Sequence, residues 1–151
     1  MRRTSTISIP DSPEIQLPDG RKIAVGNRDK GKLFLLTEMP AMQAEQWAIR
    51  ALLAIASTGV SVPEELKSAG MAGLAVMSLS ALAFVRYEDA KPLLDEMLTC
   101  VEYIPDPSKP HVKRELHESD IEEVQTLVLL RKEVWNLHMG FSQAASTPNT
   151  Q

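Results

Sequence analysis

Apolar and polar positions follow two rhythms along this chain. Near the N-terminus they alternate. Ile15 and Leu17 alternate with polar neighbours, Ile23 and Val25 are spaced two apart across Ala24, and Pro18-Asp19-Gly20 divides the two runs. Pro presets φ for a turn and Gly tolerates positive φ, so residues 14–25 read as a β-hairpin. Asn27 to Lys32 forms a second polar turn, and Leu33 to Leu36 reads as a third strand. The expectation is a small antiparallel sheet over residues 14–36, resting one face on helices. Residues 1–13 hold only Ile7 and Ile9 as core candidates. They are expected to form a flexible N-terminus that trails or lies along an edge.

From Pro40 onward the helical rhythm takes over. Pro suits a first helical turn, Trp47, Leu52 and Ile55 give a buried stripe, and Gly59 sits where a C-terminal cap belongs. Ser61-Val62-Pro63-Glu64 combines a capping box with an early Pro, opening a second helix that breaks near Gly70 or Gly73. The apolar run to Val85 then forms a central helix. Residues 88–102 read as a further helix, with Leu93, Leu94, Met97, Leu98 and Val101 on one side. Pro105, Pro107 and Pro110 make the next segment a loop. Ser119 to Glu122 is a second capping box, opening a last helix through Met139 with Gly140 as its stop. On that helix Leu127, Leu130, Val134, Leu137 and Phe141 recur at three- and four-residue spacing, as in a coiled-coil seam. Ile121, Val124 and Val128 widen the apolar face. The seam reads either as a core-facing stripe or as a contact with a partner. The predicted fold is therefore α+β and mainly α: a small N-terminal β-hairpin or sheet followed by a bundle of four to five helices. One domain is expected over residues 14–141 (helical body from residue 40), with a disordered tail over residues 142–151.

Composition narrows the function. Residues 1–36 hold seven Lys or Arg against four acids, whereas residues 37–105 hold four against nine. An acidic helical body lacks the clustered cations that a nucleic-acid face needs. Seven Met and few aromatic residues suit adaptable packing surfaces. A single cysteine, Cys100, excludes an internal disulfide and gives no reason to expect secretion. The N-terminus lacks the apolar core of a signal peptide. The longest charge-free run, Ser68 to Val85, is at the lower edge of the roughly 17–25 residues that span a bilayer. Its Gly, Ser and Ala dilute its hydrophobicity, so it reads as a buried soluble helix or helix pair.

No catalytic constellation appears. Cys100 lies among apolar residues beside Glu102, which would raise its pKa. His111, His117 and His138 show no repeated ligand spacing, so neither a metal nor a cofactor is expected. The pairs Asp95-Glu96 and Glu122-Glu123 are adjacent on helices and do not face one another. Nucleotide-binding and nucleophile-elbow motifs are missing. The residues describe a non-enzymatic protein-binding domain with no small-molecule substrate.

Several blocks taken in order carry a family resemblance. They are TEMPAMQAEQWAIRALLA from Thr37, GMAGLA from Gly70, PLLDEMLTCV from Pro92, IPDP from Ile104, and DIEEVQTL followed by LRKEVWNLHMGFS. Together they resemble the tail assembly chaperones of tailed bacteriophages, over about Lys32 to Ser142. The resemblance implies a non-virion protein of the host bacterial cytoplasm that coats the helical tape-measure protein and keeps it soluble while the tail is built. It also implies self-association and, in many phages, a frameshifted product carrying a second domain. The contact residues expected from the chain's own pattern are Met39, Met42, Trp47, Leu127, Leu130, Val134, Leu137 and Phe141. On that reading Leu130→Asp abolishes assembly but leaves a folded monomer. The alternative function is a structural tail or neck component of the virion.

Overall fold

Strand β4 (Leu33–Thr37) is the axis on which the molecule is built. In this computed structural model, which describes residues 1–11, 14–24, 26–59, 64 and 79–146, β4 alternates half-buried and buried positions. Phe34 and Leu36 point inward and are fully buried. Two antiparallel neighbours flank it. β1 (Thr4–Ser8) pairs with it on one side, Thr4 opposite Thr37 and Ser8 opposite Leu33. β5 (Val101–Ile104) pairs on the other, Leu33 opposite Ile104 and Leu36 opposite Val101. The two-residue β6 (Arg114–Glu115) closes the sheet, giving the order β1-β4-β5-β6.

The hairpin forms as expected, from β2 (Glu14–Gln16) and β3 (Lys22–Ala24), but as a separate two-stranded sheet. Its turn places Gly20 at φ 88°, a conformation that costs glycine little. The Leu17 amide donates to the Arg21 carbonyl at 2.7 Å. Asp19 accepts from the Arg21 amide at 3.0 Å.

Three α-helices are described. Helix α1 (Ala41–Ala56) buries Trp47, Ala48, Ala51, Leu52 and Ile55, the stripe foreseen from its spacing. Its C-cap is Ser57, and the turn that follows ends at Gly59, two residues beyond the cap, at φ 90° with its amide donating to the Ala56 carbonyl. Helix α2 (Tyr87–Leu98) buries Ala90, Leu93 and Met97. A 3-10 helix, Leu79–Phe84, precedes it. Helix α3 (Val124–Ser146) buries Leu130 and Val134 in the same core. The capping box at Ser61-Val62-Pro63 and the apolar run over residues 68–78 lie outside the described residues, as do residues 147–151.

Among the described residues, the expected four-to-five-helix bundle is replaced by three helices packed with a four-stranded antiparallel sheet. Three local readings led to the difference. The helix placed over residues 88–102 ends at Leu98, and Val101–Ile104 is a strand. Its Val-Glu-Tyr-Ile run favours the extended state and gains hydrogen bonds from both β4 and β6, which no local period reveals. Residues 4–8 lie along the sheet edge as β1, and Ile9 beyond them is core. The last helix does not start from the Ser119 capping box. Glu118–Asp120 forms a 3-10 turn, and the helix runs through Gly140 to Ser146.

The amides ahead of α3 are satisfied from far away in sequence. Asp29, in the turn before β4, is fully buried. Its carboxylate accepts from the amides of Glu122 at 3.0 Å and Glu123 at 2.9 Å, and from the Thr126 hydroxyl at 2.6 Å. Lys32 Nζ donates to it at 2.9 Å. An anion at a helix N-terminus is favoured by the helix dipole as well as by these bonds. Burial pushes the Asp29 carboxyl up, but the bonds from Thr126, Lys32, Glu122 and Glu123 outweigh it and hold its pKa at about 2.

Candidate functional site

The eight expected contact residues separate into core and surface. Met39 is 6% exposed, and its amide donates to His138 Nε2 at 2.9 Å. That bond fixes Nε2 as the acceptor, so Nδ1 carries the proton and donates to the Val134 carbonyl at 2.8 Å. Trp47 is buried, its Nε1 donating to the Leu93 carbonyl at 3.0 Å and its ring meeting Trp135 edge-on at 6.2 Å. Leu130 and Val134 are buried against the sheet and the other two helices. Leu127 and Leu137 are half-buried. Phe141 lies on α3, with its side chain outside what is described. Met42 is open to solvent at 80% exposure. The three- and four-residue rhythm of α3 thus marks its inward face at Leu130 and Val134.

A second apolar face of α3 begins where that core face ends. A cleft of about 740 Å³ lies between α2 and the segment leading into α3. Leu98, Val101, Leu116, Ile121, Val124 and Leu127 supply its apolar lining. Val124 is 75% exposed, and Val128, one turn further along the helix, is 60% exposed. Of the eight expected residues only Leu127 lines this cleft. The signal for the rest was the widening of the α3 stripe by Ile121, Val124 and Val128, which exceeds what a narrow seam needs. Leu116 gave no comparable signal, because its place depends on β6 pairing with β5.

The rim of the cleft is acidic. Asp95, Glu115, Glu118, Glu122 and Glu123 surround it, with Lys91 on the α2 side. Lys91 is bound to Asp95 at 2.6 Å. Arg28 reaches Glu123 at 2.7 Å and Glu122 at 3.8 Å. The Arg28 hydrogen bond holds the Glu123 carboxyl below its usual range. Glu115 and Glu118 form no ion pair with any described residue. The wall is held firmly, since Arg114 grips Asp120 through two bonds of 2.8 and 2.6 Å and lies over the Tyr103 ring at 4.9 Å. Paired acids fix the frame, and the two remaining carboxylates give the mouth its negative field.

Cys100 is buried, and burial pushes its thiol up to about 11, with Glu96 adding to the effect and Arg2 opposing it. The rise agrees with the sequence, but its acidic neighbour is Glu96 and not Glu102. A thiol of that character is inert at neutral pH. Among the described residues no group of His, Cys, Asp and Glu could hold a metal ion, and no helix is long and apolar enough to cross a membrane. The arrangement is suited to holding an apolar chain segment with basic flanks. Compared with known proteins, the chain matches no family model, no curated protein and no solved structure.

Proposed function

We propose that the chain is a phage tail assembly chaperone, a non-enzymatic protein that binds the tape-measure protein in the host cytoplasm and keeps it soluble during tail morphogenesis. The observation that carries this reading is the open, apolar cleft with an acidic rim beside α2 and α3. An extended helical client exposes apolar ridges that aggregate in water, and such a ridge with flanking Lys or Arg complements this cleft. The resemblance of the Thr37 to Ser142 blocks implies a tape-measure protein as the class of client.

The test is co-expression with the tape-measure protein of the same phage, read as client solubility and co-purification. Val124→Asp is the informative variant, because an exposed side chain can be changed without disturbing the core. Wild type is expected to hold the client in solution and the variant to lose it. A client that aggregates equally with and without the wild-type chain would sink the proposal.

One observation favours a second reading, a structural tail or neck component. The four-stranded sheet ends in β1, whose outer edge pairs with no described strand and could accept a strand from a neighbouring subunit. Mass spectrometry of purified particles separates the two, since a chaperone is absent from the virion and a component is present.

A further inference from the structure

Arg28 and Asp29 are neighbours in one turn, and both reach the segment that leads into α3. The turn itself is fixed locally. The Asn27 carbonyl accepts from the Lys30 amide at 3.1 Å, and the Asn27 side chain accepts from the Asp29 amide at 3.0 Å and donates to the Pro10 carbonyl at 3.1 Å. Asp29 is buried and bonded to the amides of Glu122 and Glu123, which leaves Arg28 on the surface beside the side chains of those same two residues. Arg28 Nε donates to Glu123 Oε1 at 2.7 Å, a second guanidinium nitrogen donates to the Glu122 carbonyl at 3.0 Å, and the third is 3.8 Å from Glu122 Oε2. Both acids line the cleft. A cation from 95 residues away in sequence therefore occupies one corner of the acidic rim.

The rim acids differ in how they are held. Lys91 and Asp95 are four apart on one helix, a local pair. Glu115 and Glu118 are exposed and have no ion pair among the described residues. The Arg28 pair lies between these cases: it links separate elements, yet 67% of the Arg28 side chain is open to water. An ion pair so exposed contributes little net stability and is screened by salt, so another cation can take its place. A docking helix with Lys or Arg beside its apolar ridge meets Glu115 and Glu118 directly, but meets Glu122 and Glu123 only where Arg28 has swung away. We propose, on the reading of the cleft given above, that Arg28 is an autoinhibitory internal cation, which occupies the Glu122–Glu123 corner and is displaced by the basic flank of a docking helix. The competition weakens binding. A chaperone must release its client, and a guanidinium that returns to the corner shortens the bound lifetime.

The experiment titrates the full chain into a labelled synthetic helical peptide, a Leu ridge flanked by Lys, and follows fluorescence anisotropy. A second peptide carries Gln in place of Lys. Arg28→Gln is expected to bind the Lys peptide about threefold more tightly than wild type does, and the Gln peptide no differently. A purely structural role for Arg28 would instead weaken the binding of both. Lys30→Gln removes the same charge from the same turn, but Lys30 pairs with Asp11, so that variant keeps the wild-type affinity. By NMR, the Arg28 Nε–H signal of wild type shifts on addition of the Lys peptide and stays in place with the Gln peptide. An Arg28→Gln chain that gains no affinity for the Lys peptide, or a Lys30→Gln chain that gains as much, overturns the proposal while the cleft remains the client site. A wild type that fails to bind the Lys peptide, or binds it equally well after Val124→Asp, sinks the reading of the cleft and the role of Arg28 with it.

Discussion

Asp29 ties two distant parts of the fold together through a single buried carboxylate. Its carboxylate joins the turn before β4 to the start of α3 through three α3-side donors, and replacing it leaves those donors unpaired in the interior. Its pKa lies below the ordinary value of 3.8, at about 2 in the folded chain. The folded state therefore binds the proton less readily than the unfolded one. The resulting stabilisation, on the order of 2 kcal/mol, is fully present above about pH 4 and is lost as pH falls toward 2. Asp29→Asn should lower stability at pH 7 by roughly that amount, and the gap to wild type should close in denaturant titrations at low pH. A gap that stays constant across pH would mean the charge contributes nothing. Leu130, fully buried, gives a second prediction at this scale. Leu130→Asp places an unpaired carboxylate in the core and should abolish cooperative unfolding, in contrast to the folded monomer expected of an interface position. Trp47→Ala should cost about 3–5 kcal/mol, since both its packing against Trp135 and its bond to Leu93 are lost.

At the level of elements, what was readable depended on whether the deciding interaction was local. Helix α1 was legible because its stripe, its Pro40 start and its Gly59 stop all lie within the segment. The hairpin was legible because Pro18-Asp19-Gly20 dictates its own turn. Gly59→Ala tests the stop: no atom lies within 4 Å of an added Cβ, so any loss comes from φ alone, about 1–2 kcal/mol by thermal denaturation. No loss would mean the cap is not held in that conformation. By contrast β1 and β5 are strands because β4 lies beside them, and their own residues leave the choice open. The candidate site shares this division. Val124 and Val128 belonged to a visible widening of α3, whereas Leu98, Leu116 and the carboxylates of Glu115 and Glu118 converge only once the sheet is assembled.

For the molecule as a whole, the sheet is the reason a helical reading fell short. Its strands come from residues 4–8, 33–37, 101–104 and 114–115, so most of its pairings join distant parts of the chain. Periodicity within a window of about 11–18 residues cannot register such pairings. Topologies of this kind also fold more slowly than helical bundles, because loop closure precedes the contacts that reward it. A chain ended after Ile104 lacks α3 and the bonds to Asp29, and should show no cooperative thermal transition by circular dichroism. A cooperative transition in that fragment would show that α1, α2 and the first strands suffice.

The long reach of Asp29 also bears on the protein's birth at the ribosome. The groups that receive its carboxylate lie 93 to 97 residues further along. At about 5–20 residues per second, that carboxylate waits about 5–20 seconds before these α3-side partners are made. Throughout that interval Lys32 Nζ, three residues on, is the one of its donors described above that has already been made. Final closure coincides with the arrival of α3, the helix whose first turns also wall the proposed client cleft. The proposed cleft is therefore complete only once α3 has been made.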